Sequence, residues 1–270
     1  GLVGSEMCIR DRGKAMRFVR VLIPNTETPV YGVLEGTQVA LFRGLPWGEP
    51  DFVGVAVELD ELKVLAPTIP SKIICVGKNY AEHATEMGSV VPEEPVIFLK
   101  PNTAVIGDED EIVLPSQSEN VHYEAELAVV IGAVAKNVEV ERAGEVIFGY
   151  TCANDVTARD LQSKDKQWTR AKSFDTFCPL GPWIETELDP SALALTCEVN
   201  DEVRQSGNTK EMIRGVHEMV SWISQVMTLI PGDVILTGTP AGVGPIVAGD
   251  TVSITVQGIG TLTNPVVGQA

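Results

Sequence analysis

Cations are scarce in this chain. Twenty Lys and Arg residues stand against 37 Asp and Glu, a formal net charge of −17 over 270 residues. No basic patch is available to neutralise a phosphate backbone, so nucleic acid is excluded as a natural partner. An anionic ligand must be met by a local cluster of positive charge, since screening confines long-range repulsion to roughly 8 Å at physiological salt. Long apolar runs are also missing. Nothing approaches the ~20 residues that span a bilayer, and the N-terminus lacks the apolar stretch of a signal peptide, which predicts a cytoplasmic protein without a membrane partner. The five cysteines, Cys8, Cys75, Cys152, Cys178 and Cys197, are an odd number and include no CxxC pair. They give neither a disulfide framework nor a zinc site, and are read as reduced thiols. A GK[ST] phosphate loop is absent too.

What is present organises into two parts. Residues 1–15 show neither strand nor helix period, and alternation begins only after Met16, so 1–15 reads as a non-native leader. Short runs at 18–23, 30–34 and 39–42 predict a β-meander, and the Gly-, Pro- and Glu-rich stretch 42–62 predicts a loop leading out of it. Pro67 and Pro70 mark a linker. The expected division is a small N-terminal β domain over 16–66 and a larger domain over 67–270. Within the larger part, strands are predicted at 72–76, 96–99, 122–134, 146–153, 194–199, 234–237, 251–256 and 260–262, which suggests sheets packed as a sandwich or roll. One helix is predicted over 208–229, opened by a capping box of Asn208 and Glu211, with Ile213, Val216, Val220, Ile223 and Val226 as its apolar stripe. The class is mixed, mainly β (α+β).

Several fragments carry chemistry. In the run 122–131, the strand period of two puts Glu124 and Glu126 on one face, amid apolar neighbours. A solvated strand face is the bland explanation. Buried like charges, however, raise one pKa steeply or call for a cation between them, and an all-oxygen set favours a hard divalent ion. Asp155 follows the strand 146–153 and would present its carboxylate from a strand end, or else cap a helix. In a short helix over 79–87, His83 and Glu86 share a face, the spacing of an imidazole base and its orienting carboxylate, although a surface pair has the same spacing. His122 and His217 read as structural. Lys172, among aromatics, needs an anion or a developing oxyanion if buried, and is otherwise a snorkelling surface lysine. The glycine-rich loop 238–244 is either a plain turn or a source of backbone N–H groups for a carboxylate.

The order of these fragments is more specific than any one of them: Val76-Gly77-Lys78-Asn79-Tyr80 with His83, Ile97-Phe98-Leu99-Lys100-Pro101, His122-Tyr123-Glu124-Ala125-Glu126-Leu127, Asn154-Asp155-Val156-Thr157-Ala158-Arg159-Asp160, Ala171-Lys172-Ser173-Phe174 and Leu236-Thr237-Gly238-Thr239-Pro240. Across about 71–262 the chain resembles the fumarylacetoacetate hydrolase family, its acylpyruvase branch in particular, and 16–66 resembles the small N-terminal domain of bacterial members. The resemblance implies a β-sandwich roll, a homodimer, and Mg²⁺ or Mn²⁺ held by Glu124, Glu126 and Asp155. It also implies a small anionic oxo acid as substrate, cleaved at a carbon–carbon bond by water that His83 activates and Glu86 orients. Lys172 and Gln162 would steady the oxyanion, while Arg159, Thr239, Gly238 and Tyr80 would contact the substrate. The same site chemistry could serve a 2-hydroxyhepta-2,4-diene-1,7-dioate isomerase or an oxaloacetate decarboxylase. Asn200-Asp201 stands where an Asn-Gly turn is common in the family, and acyl-end selectivity is expected from loops near 45–62 and 87–95.

Overall fold

The computed structural model describes residues 15–269, so the leader assigned to 1–15 lies outside the described residues apart from Ala15. Strands dominate, and β-branched and aromatic runs supply them. A 12-stranded sheet forms the spine, with a five-stranded sheet against it and a three-stranded sheet at the junction. Leu127, Val129 and Ile131 of strand Ala125–Ile131 meet Leu195, Cys197, Ile254 and Val256 of the five-stranded sheet in one buried cluster. Ala128 and Val130, on the opposite face, join a second cluster with Ile73, Cys178 and Leu236. Both faces of this strand are thus buried, which is why it reads as a nearly continuous apolar run. The class is mixed, mainly β, as the sequence predicts.

The N-terminal meander is present as Arg17–Leu22, Val30–Glu35 and Gln38–Arg43. It is not followed by a loop. Asp51–Glu58 is a fourth strand, pairing Phe42 with Phe52 and Val39 with Val57 at the sheet edge. Its outer position leaves most of it exposed, so flanking Gly, Pro and acidic residues mask the strand signal. The meander extends the large sheet because Arg17–Leu22 pairs with Cys178–Glu185. Phe18 seals that seam, buried against Phe42 and Phe148 with ring centroids 5.9 and 5.1 Å away. Replacing Phe18 by alanine should destabilise the protein by about 3–5 kcal/mol in urea unfolding, the usual cost of emptying an aromatic core site; a change below about 1 kcal/mol would show the seam to be dispensable.

Three further corrections follow. Cys178–Glu185 is a central strand that its own sequence conceals, since Pro179, Gly181 and Pro182 all argue against a strand. A register irregularity opposite Tyr150 and Cys152 accommodates them. The helix expected over 208–229 is only Val216–Val226. The Asn208–Glu211 capping box exists but caps the single turn Thr209–Glu211, after which the chain bends at Ile213 and Arg214, whose backbone N–H groups hydrogen-bond to Asn79. The strand expected over 122–134 is two strands, Val121–Tyr123 and Ala125–Ile131, broken at Glu124. Asn200 and Asp201 both take positive φ, 53° and 64°, and close the hairpin between Ala194–Val199 and Glu202–Asn208 as an Asn-Gly pair would. No helix among the described residues is long and apolar enough to cross a membrane.

Candidate active site

The break at Glu124 builds the site. Val121–Tyr123 belongs to the three-stranded sheet and Ala125–Ile131 to the large one, so the chain changes sheet at this residue. Two hydrogen bonds of 2.9 Å hold the turn: Glu124 N–H donates to Asn154 Oδ1, and Asp155 N–H donates to the Glu124 carbonyl. Ala125 pairs with Asn154, the last residue of strand Ile147–Asn154, which brings Asp155 out beside Glu124. Glu126 follows two positions along. One oxygen from each of the three carboxylates lies within 4.8 Å of the others, and all three side chains are buried.

Three buried acids at this spacing need compensation. Lys172 Nζ donates to Glu124 Oε2 at 3.0 Å and to Asp155 Oδ2 at 2.8 Å, and Arg159 Nη2 donates to Glu124 Oε1 at 2.6 Å. Lys172 is only 2% exposed and lies 4.9 Å from the centroid of the Phe98 ring, so it is no snorkelling lysine. Burial alone would raise the Glu124 carboxyl, but Lys172, Arg159 and His83 together carry it well below the usual carboxylate range. Burial disfavours charge on Lys172 as well, yet Asp155 and Glu124 raise its pKa. Glu126 is different. Burial, then Asp155 and Glu124, push it well above its ordinary value, against a 2.8 Å hydrogen bond from Gly238 N–H. Asp155 Oδ1 forms a buried ion pair with Lys100 Nζ at 2.7 Å, and the same ammonium donates to the Val156 and Phe177 carbonyls at 2.9 and 2.6 Å.

A hard divalent cation fits this set. The ligands are all buried carboxylate oxygens gathered within 4.8 Å of one another, and burial with the neighbouring Asp155 and Glu124 charges raises the Glu126 pKa, which a cation among them would reverse. Uptake of the ion should therefore expel a proton held by Glu126, so apparent affinity rises with pH until Glu126 is ionised and falls as protons compete at lower pH. Calorimetric titration of Mn²⁺ in buffers of different ionisation enthalpy should report net proton release on binding; a heat independent of buffer would contradict the assignment.

His83 stands on the short helix Ala81–Glu86. His83 Nδ1 lies 3.2 Å from Glu86 Oε2, and Gly242 N–H donates to both Glu86 oxygens at 3.1 and 3.2 Å. The glycine-rich loop thus fixes the carboxylate that orients the imidazole. His83, Glu124, Glu126, Asp155, Arg159, Gln162, Lys172 and Thr239 all line one cavity of about 240 Å³, closed on its apolar side by Val76, Phe98 and Trp168. Gln162 Oε1 accepts from Arg159 Nη1 at 2.8 Å, which leaves its amide N–H₂ as the free end. The Thr239 hydroxyl donates to the Ala125 carbonyl and accepts from Gln205 Nε2, at 2.8 and 2.7 Å.

Two expected substrate contacts are set apart from the cavity wall. Tyr80 is 1% exposed and packed inside, and Gly238 gives its N–H to Glu126. Of the two segments expected to select the acyl end, only 87–95 reaches the cavity, through Met87 and Ser89; Asp51–Glu58 is at the far edge of the sheet. Sequence reasoning gave no role to Lys100, the buried cation ending the apolar strand Val96–Lys100, although a lysine closing such a run is itself a signal. His122 supports Arg159, whose Nε donates to His122 Nδ1 at 3.4 Å, while His122 Nε2 meets Asn120 Oδ1 at 3.0 Å. Burial and the Arg159 cation hold its pKa down at about 4, so the ring stays neutral.

Residues 72–267 match a family model described as fumarylacetoacetate (FAA) hydrolase C-terminal. The chain belongs to the fumarylacetoacetate hydrolase family. Residues 16–67 match a second model, Rv2993c-like, N-terminal. Members with different reactions resemble it. A 5-carboxymethyl-2-hydroxymuconate delta-isomerase from Mycobacterium smegmatis is 53% identical with a TM-score of 0.88, covering 94% of this chain and 100% of that one. The human mitochondrial oxaloacetate tautomerase FAHD2A is 46% identical over 77% of this chain and 70% of its own length. A fumarylpyruvate hydrolase from Pseudomonas aeruginosa, solved with Mn²⁺ and pyruvate, is 36% identical with a TM-score of 0.71, covering 74% and 91% of the two chains.

Proposed function

We propose that this enzyme hydrolyses a carbon–carbon bond in a 2,4-dioxo acid of the acylpyruvate or fumarylpyruvate type. The observation that carries the reading is the His83–Glu86 pair on the wall of the cavity that also holds the three carboxylates. Mg²⁺ or Mn²⁺ held by Glu124, Glu126 and Asp155 would act as a Lewis acid toward the 2-oxo acid end of the substrate. His83 uses Nε2 to take a proton from water, because Nδ1 is committed to Glu86. The hydroxide adds to the distal carbonyl, whose oxyanion Lys172 and Gln162 receive: two of the three ammonium protons are taken by Glu124 and Asp155, leaving one, and Gln162 offers its free N–H₂. The bond to the central carbon then breaks, the proton from His83 reaches that carbon, and the products are a carboxylate and pyruvate.

A second reading has its own support. Relatives named as an isomerase and an oxaloacetate tautomerase are more similar to this chain than the hydrolase is, which favours proton transfer on the same acids without cleavage, or decarboxylation. Assaying acylpyruvates, fumarylpyruvate, oxaloacetate and a dienedioate with Mg²⁺ and again with chelator separates them. Pyruvate release from an acylpyruvate or fumarylpyruvate that chelation abolishes is the expected result; pyruvate from oxaloacetate alone would replace hydrolysis by decarboxylation, and loss of enol absorbance without pyruvate would replace it by tautomerisation. The working form is taken to be a cytoplasmic homodimer, so light scattering should give about twice the 29.0 kDa chain mass.

A further inference from the structure

Lys78 follows strand Ile73–Gly77 and lines the cavity. Its backbone takes φ 58°, the left-handed region where a side chain is strained and glycine is not. Its neighbours are closely packed. Gly77 lies against Trp168, whose ring would be 2.8 Å from an added Cβ. On the other side Asn79 is clamped: its Nδ2 donates to the Arg214 and Thr237 carbonyls at 3.0 and 2.8 Å, and its Oδ1 accepts from Arg214 N–H at 2.9 Å. A strained residue so fixed at a cavity wall is a sign of use by its side chain.

The wall carries three permanent cations, Lys78, Arg159 and Lys172. Arg159 is bonded to Glu124, and Lys172 to Glu124 and Asp155. Lys78 makes no ion pair among the described residues and is partly buried, so of the three it is the one whose charge is not already balanced by a carboxylate of the wall. The carboxylate cluster already accounts for the 2-oxo acid end. We infer that Lys78 is a specificity-determining residue that binds a second, distal carboxylate, making the substrate class dicarboxylic oxo acids rather than acylpyruvates with an apolar tail. This rests on the reading of the cavity as an oxo-acid site.

The test compares 2-oxoadipate with 2-oxohexanoate, which share a 2-oxo acid head and chain length and differ only in the far carboxylate. Binding to the Mg²⁺-loaded protein is measured by calorimetry for the wild type, Lys78→Met and Lys78→Gly. The wild type should prefer 2-oxoadipate by about 10- to 100-fold, the factor of one charge-assisted hydrogen bond. Both variants should bring the ratio to within about threefold of parity. Lys78→Gly relieves the left-handed strain and should melt no lower than the wild type, so loss of preference in that variant is separated from misfolding. A preference that survives in Lys78→Gly, or is absent from the wild type, overturns the inference while leaving the oxo-acid site intact. Failure of both acids to bind the wild type overturns the site reading, and the inference with it.

Discussion

Replacing His83 by alanine should lower the rate of acylpyruvate cleavage by about 10²- to 10⁴-fold, the usual contribution of a positioned general base. The loss should fall on kcat, with Mn²⁺ binding unchanged, because the imidazole reaches the cavity from the helix Ala81–Glu86 while the three carboxylates come from other elements. Glu86→Gln should cost less, since a neutral amide can still orient Nδ1 but stabilises the imidazolium poorly. Stopped assays for pyruvate at saturating Mg²⁺ provide the measurement. Cleavage at near wild-type rate in His83→Ala, with the ion bound, would remove the dyad from the mechanism.

The second large effect belongs to Lys172. Its ammonium joins Glu124 to Asp155 at 3.0 and 2.8 Å in a buried site, so Lys172→Met leaves two carboxylates facing each other beside Glu126. Removing one partner from a buried ion network costs about 3–5 kcal/mol when the remaining charges are left unpaired; here Arg159 still holds Glu124 and Lys100 still faces Asp155, so the cost falls at or below the lower end of that range. The metal-free variant should therefore unfold at clearly lower urea. Mg²⁺ should restore much of that difference, since the ion supplies the charge the variant lacks, whereas the oxyanion contact and the rate stay lost. Equal urea midpoints for wild type and variant without metal would show that Lys172 does not hold the cluster together.

How much of this was legible in the sequence depends on whether the signal is local. Alternation places Glu124 and Glu126 on one face, and helical spacing joins His83 to Glu86, so the geometry of both pairs could be read from a few residues. That Glu124 interrupts its strand could not, because the break is made by Asn154 on a neighbouring strand. Lys100 escaped for the same reason: its partners Val156 and Phe177 lie 56 and 77 positions away. The strand Cys178–Glu185 was hidden by prolines that a register irregularity absorbs, and Asp51–Glu58 by the exposure of an edge. The capping box at Asn208 and Glu211 is legible, but the helix it predicts is interrupted at Ile213 and Arg214, whose N–H groups bond instead to Asn79 in a bend, a contact made 135 positions away. The family order of motifs carried what periodicity could not, because it records which distant fragments converge.

The proposed chemistry depends on three acids, Glu124 at a strand break, Glu126 within a strand and Asp155 just past a strand end, enclosing one hard cation. Titration with Mn²⁺ followed by electron paramagnetic resonance tests this most directly. One tightly held ion per chain is predicted for the wild type, weakened by at least about 100-fold in Asp155→Asn and in Glu126→Gln, as loss of a charged ligand from a small set requires. Unaltered Mn²⁺ binding in both variants, or none in the wild type, would contradict it.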